Sequence, residues 1–498
     1  MRGTVRIMFE SILIANRGEI ACRVISTAKE LGIETIAVYH HVDRMAPHVK
    51  AADRSVELFG DTPTAAYLDI EQIIKVANKT KAQCLHPGYG FLSENAAFAE
   101  AVEKNNIVFV GPQPEVIKLM GDKIISREFA RKAGIPIAPS VTQTDDLSNF
   151  LKEAEKIGFP LLIKASAGGG GKGMSIVREA TTLEEQAKIA MSEAERYFAD
   201  SRIYAELYVE NPRHIEVQIL GDGQGNIVHA YERECSIQRR FQKVIEESPA
   251  PALSVELRDQ ICTAAVDLAS KAKYLNAGTV EFILSPDGSF YFLEMNTRLQ
   301  VEHPVTEMVC SLDLVKAQLH IAASKTLPYK QSEIKQSGHA IECRICCEEP
   351  HNDFRPATGD IKILSVPVAN DIRFDSGIVQ GQTISAAFDS MIGKLICFGE
   401  DRDAAIKNAI GALNDLVILG VSSNIDYLGQ ILKATDFKEM IIDTGFLEKN
   451  KATLLLEPLS EKDSSTVATI AALSLRDFKA LALETPEPYA SIGAWRNL

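Results

Sequence analysis

The chain of 498 residues is 46% hydrophobic and 24% charged and carries a formal net charge of −14. That length and balance suit a globular protein of roughly two to four domains, and the acidity argues against a nucleic-acid partner, because a polyanion requires a broad positive surface. No apolar run approaches the about 20 residues that span a bilayer, so no membrane association is expected. The first ten residues lack the apolar core of a secretory signal, and Met8 reads as the natural start. Nine cysteines are scattered without a disulfide framework, which predicts a reducing compartment, cytoplasmic or organellar, with the cytoplasm as the expected location. Cys343, Cys346 and Cys347 have a zinc-like spacing. On a strand, however, Cys343 and Cys346 point to opposite faces, and no second pair follows.

In chain order, Ser11 to Ala15 reads as a buried strand and Asn16 to Glu19 as a turn. Ile20, Val24, Ala28 and Leu31 form the apolar stripe of a helix ending at Gly32. Glu34 to Tyr39 is a second strand, so residues 1–120 are expected to form a doubly wound parallel sheet. The first turn has one glycine instead of Gly-x-Gly-x-x-Gly, which argues against a dinucleotide. Between Cys84 and Asn95 a strand passes through a glycine turn, with Ser93 as the candidate cap of the next helix and His86 as a structural residue.

From Met120 the pattern becomes α+β, expected over 121–320. A helix from Lys123 to Ala133 stops at Gly134-Ile-Pro136, and the strand Phe159 to Lys164 enters a glycine-rich loop, 167–173. The loop formally fits Gly-x-Gly-x-x-Gly, but Met174 to Arg178 continues as a strand. Lys172 precedes Gly173 where a P-loop needs Ser or Thr, so neither nucleotide motif applies. Such a hairpin, with exposed amides and a lysine, can close over a triphosphate as a lid, placed at about 137–208. Lys164 faces inward just before it.

The strongest chemical signal is the segment Gly278 to Asn296, two alternating runs joined by Asp287-Gly288. A two-residue loop there pairs Pro286 with Ser289, Leu284 with Tyr291, Phe282 with Leu293 and Val280 with Met295 on an apolar face. On the other face Glu281 is opposite Glu294, with Asn296 beside them. Like charges directly opposite are destabilising, and a divalent cation, magnesium or manganese, resolves the conflict. If the chain stays extended, Arg298, Gln300 and Glu302 share that face, adding a guanidinium for oxyanions and a carboxylate able to act as base. Cys235 to Lys243 supplies further positive charge. A third, mainly β block is expected over 338–446, with strands at Ile341 to Ile345, Ile361 to Leu364 and Lys394 to Phe398. The remainder, 451–498, reads as a linker, a helix from Val467 to Leu483, and the single Trp495.

Taken in order, Ile14 to Ala21, His86 to Asn95, Met120 to Lys123, Ile163 to Ser166 with the glycine loop, Asn211 to Glu216, Glu294 to Pro304 and Asp389 to Lys394 closely resemble biotin carboxylases, which are ATP-grasp enzymes, from Phe9 to about Asn450. The resemblance implies an α/β fold: an N-terminal doubly wound sheet, a central ATP-grasp domain with a glycine-rich lid and a C-terminal mainly β domain. It also implies ATP- and bicarbonate-dependent carboxylation of biotin through carboxyphosphate. By position, Glu281, Glu294 and Asn296 would hold magnesium or manganese, and Lys123, Lys164, Gly170, Gly171, Glu206, Val209 and His214 would surround ATP. Lys243, Arg298 and Val301 would bind bicarbonate, Glu302 would deprotonate it, and Arg344 would stabilise the biotin enolate.

Two departures stand out. Phe241 occupies a position that is usually histidine in Arg-Arg-His-Gln-Lys, and Cys346-Cys347 replaces Asn-Ala near Arg344. No Met-Lys pair is present, so the biotin is expected on a separate carrier protein or domain, alongside a carboxyltransferase subunit and a second copy of this chain as a homodimer. The segment Asp443 to Lys449 and the tail through Trp495 resemble α-subunits of acyl-CoA carboxylases of the methylcrotonyl-CoA or propionyl-CoA type, which leaves a truncated α-subunit, a free-standing subunit or a fragment open. A non-catalytic docking subunit and another carboxylate-amine ligase are the alternatives on function.

Overall fold

The computed structural model describes residues 9–143, 146–165, 174–198, 201–455 and 460–474. Gly170, Gly171 and Lys172 of the glycine loop, and Trp495, lie outside the described residues. The chain divides into a large unit through Leu454 and a small unit from Leu455.

The first sheet is built from β1 (Ser11–Ile14), β2 (Glu34–His40), β3 (Arg54–Leu58), β4 (Cys84–His86) and β5 (Val108–Phe109), ordered β3-β2-β1-β4-β5 and parallel throughout. All four residues of β1 are buried, as expected of a strand covered on both faces. The helix Gly18–Glu30 turns Ile20, Val24 and Ala28 into the core as their spacing requires. His86 is buried, accepts from the amide of Gly88 through Nδ1 and lies 3.1 Å from Gln318 Oε1. Burial holds this imidazole down at about 4, so it is a neutral structural residue. Ser93 is not the cap of the next helix. That helix is Ala96–Lys104, and Asn95 caps it by accepting from the amide of Phe98; the longer amide side chain reaches the orphan N–H.

Residues 140–207 fold on β6 (Ser140–Thr142), β7 (Leu161–Ala165), β8 (Met174–Val177) and β9 (Ile203–Leu207), an antiparallel sheet in the order β6-β9-β7-β8. A larger sheet of eight strands uses β10 (Arg213–Asp222), β11 (Ile227–Arg239), β12 (Gln242–Ser248), β13 (Leu275–Leu284), β14 (Phe290–Asn296), β15 (His339–Cys346) and the strands Met391–Gly399 and Ile372–Ser376. Their order is β14-β13-β10-β11-β12-β15, then Met391–Gly399, then Ile372–Ser376. The central and C-terminal blocks therefore share one continuous sheet, joined where β12 pairs with β15.

Within that sheet the β13–β14 hairpin corrects the predicted loop. Ser285 pairs with Ser289 through a bond from the Ser285 amide, and Gly288 donates back to the Ser285 carbonyl at 3.0 Å, so Pro286, Asp287 and Gly288 form a three-residue loop. Gly288 takes φ +88°, a left-handed conformation that suits glycine. Phe282 consequently pairs with Phe292 and Leu284 with Phe290, in place of Leu293 and Tyr291. One slip between Glu281 and Phe282 then absorbs the offset, and Val280 faces Met295 and Glu281 faces Glu294 as expected. The apolar face survives with different members: Val280, Phe282, Leu284, Phe292 and Met295 are buried together, with Phe290 packed against them. Beyond Asn296 the chain does not stay extended. It turns, and Glu302 immediately precedes the helix His303–Cys310.

In the small unit a helix occupies Glu461–Ser474, so part of the expected linker is helical; the Ser460 hydroxyl accepts from the amide of Asp463 at its start. Residues 475–483 of the predicted helix lie outside the described residues. Phe282 sits under Phe290 and Phe292 with ring centroids 5.6 and 6.5 Å away, fully buried. Phe282→Ala is expected to cost about 3–5 kcal/mol, read as a fall in the midpoint of urea unfolding.

Candidate active site

Strand register places Arg233, Glu216, Glu281 and Glu294 in one transverse row across β11, β10, β13 and β14. Three carboxylates in such a row repel one another unless cations intervene. At one end Arg233, fully buried, supplies the first. Besides its ion pair with Glu216, it donates to Gln218 Oε1 at 2.9 Å, Thr306 Oγ1 at 2.9 Å, Thr279 Oγ1 at 3.2 Å and Gln300 Oε1 at 2.8 Å, so every guanidinium donor is used. Lys243 supplies the second. Its Nζ lies 2.5 Å from Glu216, 3.0 Å from Glu281 and 2.5 Å from Glu302, and although burial opposes the charge, these carboxylates hold the ammonium well above its usual range.

Glu302 is clamped on both sides, by Lys243 and by Arg344 at 2.9 Å. Burial alone would raise its carboxyl; Lys243, Arg344 and Arg233 outweigh burial and hold it below the usual carboxylate range. Arg344 also donates to Glu246 at 2.6 Å. Lys243 and Glu246 have opposite parity on β12. Both reach the site because β12 carries an extra residue between Ile245 and Lys243, where its pairing with β11 slips.

At the other end of the row Glu281 accepts from Asn296 Nδ2 at 2.8 Å and Gln300 Nε2 at 2.6 Å, and its second oxygen lies 2.9 Å from His214 Nε2. Burial opposes ionisation of Glu281, but Lys243 and His214 keep it ionised far below its ordinary range. Glu294 is driven the other way, upward, by burial and by the charge of Glu281; Lys123 at the head of its helix pulls back. Such a pair of hard oxygen donors, one of them held ionised and the other strained by like charge, fits a divalent cation, with the Asn296 amide oxygen as a third donor. That oxygen accepts from Arg298 at 2.9 Å, and Arg298 also donates to Glu94 at 3.0 Å.

The remaining predicted residues that are described lie on other elements. Lys164 on β7 forms an ion pair with Glu206 on β9, whose second oxygen is 2.7 Å from Arg127. Val209 follows β9 and is half-buried. The carbonyl of Val301 accepts from Lys394 Nζ at 2.8 Å. Phe241 shares with Arg240 the tip of the β11–β12 hairpin, both at positive φ, 65° and 50°, and it is 64% exposed. Sequence reasoning missed Glu216, Arg233, Glu94 and Glu246. Glu216 stands two residues after His214 on the same strand face, which was a usable signal; the others become visible only when strands pair or when residues some 200 positions apart meet.

A small antiparallel sheet bearing Lys164 and Glu206, together with a large sheet bearing a row of carboxylates, is the make-up of an ATP-grasp enzyme. Residues 8–117 match the family description biotin carboxylase, N-terminal domain, residues 122–330 match carbamoyl-phosphate synthase L chain, ATP binding domain, and residues 342–449 match biotin carboxylase C-terminal domain. Biotin carboxylase 2 of Bacillus subtilis is 46% identical over 444 residues, covering 89% of this chain and 100% of the relative. The mitochondrial methylcrotonoyl-CoA carboxylase subunit alpha of Dictyostelium discoideum is 45% identical over 489 residues, 97% of this chain and 70% of the relative. Among solved structures, the biotin carboxylase domain dimer of Hydrogenobacter thermophilus 2-oxoglutarate carboxylase, in complex with MgADP, ADP and bicarbonate, has a TM-score of 0.86 at 43% identity, covering 91% of this chain and 100% of that one. The chain belongs to the biotin carboxylase family.

Arg233→Ala would leave Glu216 buried beside Glu281 and Glu302 with Lys243 as its remaining cation, and would strip Gln218, Thr279, Gln300 and Thr306 of their buried donor. A loss of about 3–5 kcal/mol is expected, measured by denaturant unfolding, and the paired change Arg233→Met with Glu216→Leu is expected to recover some of it.

Proposed function

We propose that this protein carboxylates biotin presented by a separate carrier protein or domain, using ATP and bicarbonate and passing through carboxyphosphate. The observation that carries the reading is Glu302 clamped between Lys243 and Arg344, beside the Glu281–Glu294 pair. Lys123, Lys164, Glu206, Val209 and His214, with Gly170 and Gly171 of the loop, bind ATP. Glu281, Glu294 and Asn296 would hold magnesium or manganese, which when bound offsets the charge of the phosphates.

Lys243, Arg298 and the Val301 backbone receive bicarbonate. As the anion enters, it takes up some of the Lys243 charge that now rests on Glu302, so the carboxylate becomes basic when its substrate arrives. Glu302 removes the bicarbonate proton, an oxygen of the resulting anion attacks the γ-phosphorus, and ADP leaves. Carboxyphosphate then divides into carbon dioxide and phosphate. The phosphate takes the ureido proton of biotin, Arg344 balances the negative charge that builds on the ureido oxygen, and the nitrogen attacks carbon dioxide.

We place the domains at 1–120, 121–320 with the lid at about 137–208, and 338–446, with 451–498 as linker and tail; the three family matches support that division, and the separate parallel sheet supports the first boundary. The partners in this reading are a biotin carrier, a carboxyltransferase subunit and a second copy of the chain, the last supported by the dimer named for the Hydrogenobacter domain. Membership of an acyl-CoA carboxylase rests on the likeness to methylcrotonoyl-CoA carboxylase subunits alpha; the mouse subunit is matched over 62% of its length. A cytoplasmic location is supported by nine cysteines that are all unpaired. No helix among the described residues is long and apolar enough to cross a membrane.

Phosphate release from ATP is expected to require bicarbonate and a divalent cation and to yield carboxylated free biotin; ATP cleavage that ignores bicarbonate would overturn the reading. Glu302→Gln is expected to lower bicarbonate-dependent turnover by at least about 100-fold. Phe241→His, which adds a donor at the exposed hairpin tip, is expected to lower the KM for ATP by about 3–10-fold in steady-state assays, and an unchanged KM would remove Phe241 from the nucleotide site.

A further inference from the structure

Glu342 lies on β15 two residues before Arg344, at 0% exposure, and neither of its carboxyl oxygens has a hydrogen-bond partner. Its cross-strand neighbours are Glu246 on β12 and Ile396 on the strand Met391–Gly399. Charged groups come from each element packed on β15; the helix Arg402–Asp415 brings Arg402, which is bonded to Glu247 beside His339. Arg344 is on its own strand, Glu246 on β12, and Lys394 on the far side, opposite Arg344. Glu302 enters from the turn before the helix His303–Cys310, which packs on β15 and also carries His303 and Glu307; Glu307 is held by Arg23 and Arg373. Behind Lys394 stand Glu19, 3.1 Å away on the helix Gly18–Glu30, and Asp375, which is cross-strand from Lys394 and bonded to Arg373.

Three carboxyls, Glu246, Glu302 and Glu342, thus surround one guanidinium. Glu246 and Glu302 are bonded to Arg344 directly, which leaves Glu342 a buried acid with no bonded cation. A buried carboxylate without hydrogen bonds is costly, and such a group keeps its proton. Burial pushes Glu342 well above the usual range, Lys394 pulls it back and Glu246 adds to the rise; burial pushes Glu246 to about 7.

We propose that Glu342 is a positioning residue for Arg344: a neutral acid behind the guanidinium that shares a cross-strand site with Glu246 and so adds no further negative charge to the one Glu302 already sets against Arg344. The inference rests on the function proposed above. As pH rises, the last proton leaves the Glu246–Glu342 pair, a further negative charge appears beside Arg344, and the guanidinium loses its field at the ureido oxygen. Glu342→Gln cannot ionise. Its kcat/KM for free biotin is expected to keep the neutral-pH value within about twofold, with the alkaline limb moved up by about one pH unit and the KM for ATP unchanged.

The experiment compares pH profiles of biotin carboxylation for the full chain and Glu342→Gln, with Glu342→Met as a second non-ionising variant of similar size. An alkaline limb that stays in place in either folded, active variant overturns the inference, as does a loss of equal size at every pH, which would mark Glu342 as merely structural. Should neither variant fold, infrared titration of the unsubstituted protein decides: no protonated-carboxyl band persisting above pH 8 would overturn it. Failure of the unsubstituted chain to carboxylate biotin at any pH would refute the function itself and is read separately.

Discussion

One lysine organises the centre of this protein. Lys243 reaches Glu216, Glu281 and Glu302, which come from β10, from β13 and from the turn after β14. Without an ammonium among them, three buried carboxylates within a few ångströms of one point would each carry a desolvation cost and would repel the others. Arg233 acts in the same way on the neighbouring strand β11, with all its donors engaged. These cations are what allow the acidic strands to lie side by side.

The continuous sheet explains how segments of the chain remote in sequence can cooperate at that point. β12 pairs with β11 on one edge and with β15 on the other, so Lys243 and Glu246 bridge the carboxylate-bearing strands and the strand of Arg344. The four-stranded sheet of β6 to β9 is separate and smaller, and its Lys164 is tethered by Glu206. Lys123 acts on Glu294 at one end of the cluster, and Arg344 holds Glu302 at the other.

The hairpin of β13 and β14 shows how a correct site can follow from an imperfect local reading. The loop has three residues and not two, and the apolar partners of Phe282 and Leu284 differ from those predicted, yet a single slip at the acidic position restores the register that opposes Glu281 to Glu294. Alternation of apolar and polar residues constrains which face a residue takes more tightly than loop chemistry constrains its partner. The extended path assumed beyond Asn296 was also incorrect. Gln300 and Glu302 reach the cluster through a turn.

The sequence by itself determined the elements with strong periodicity: the parallel N-terminal sheet, the hairpin with its two glutamates, and the motif residues that belong to the biotin carboxylase family. Local patterns carry such information because burial acts on each strand and helix separately. Only the tertiary structure decided that Arg233 and Glu216 lie under the site, that Glu94 meets Arg298 across some 200 residues, that a slip of β12 against β11 turns both Lys243 and Glu246 inward, and that Glu342 is an acid without a bonded cation. Those facts depend on strand order and register, which arise from pairing between distant segments, and no single segment encodes them.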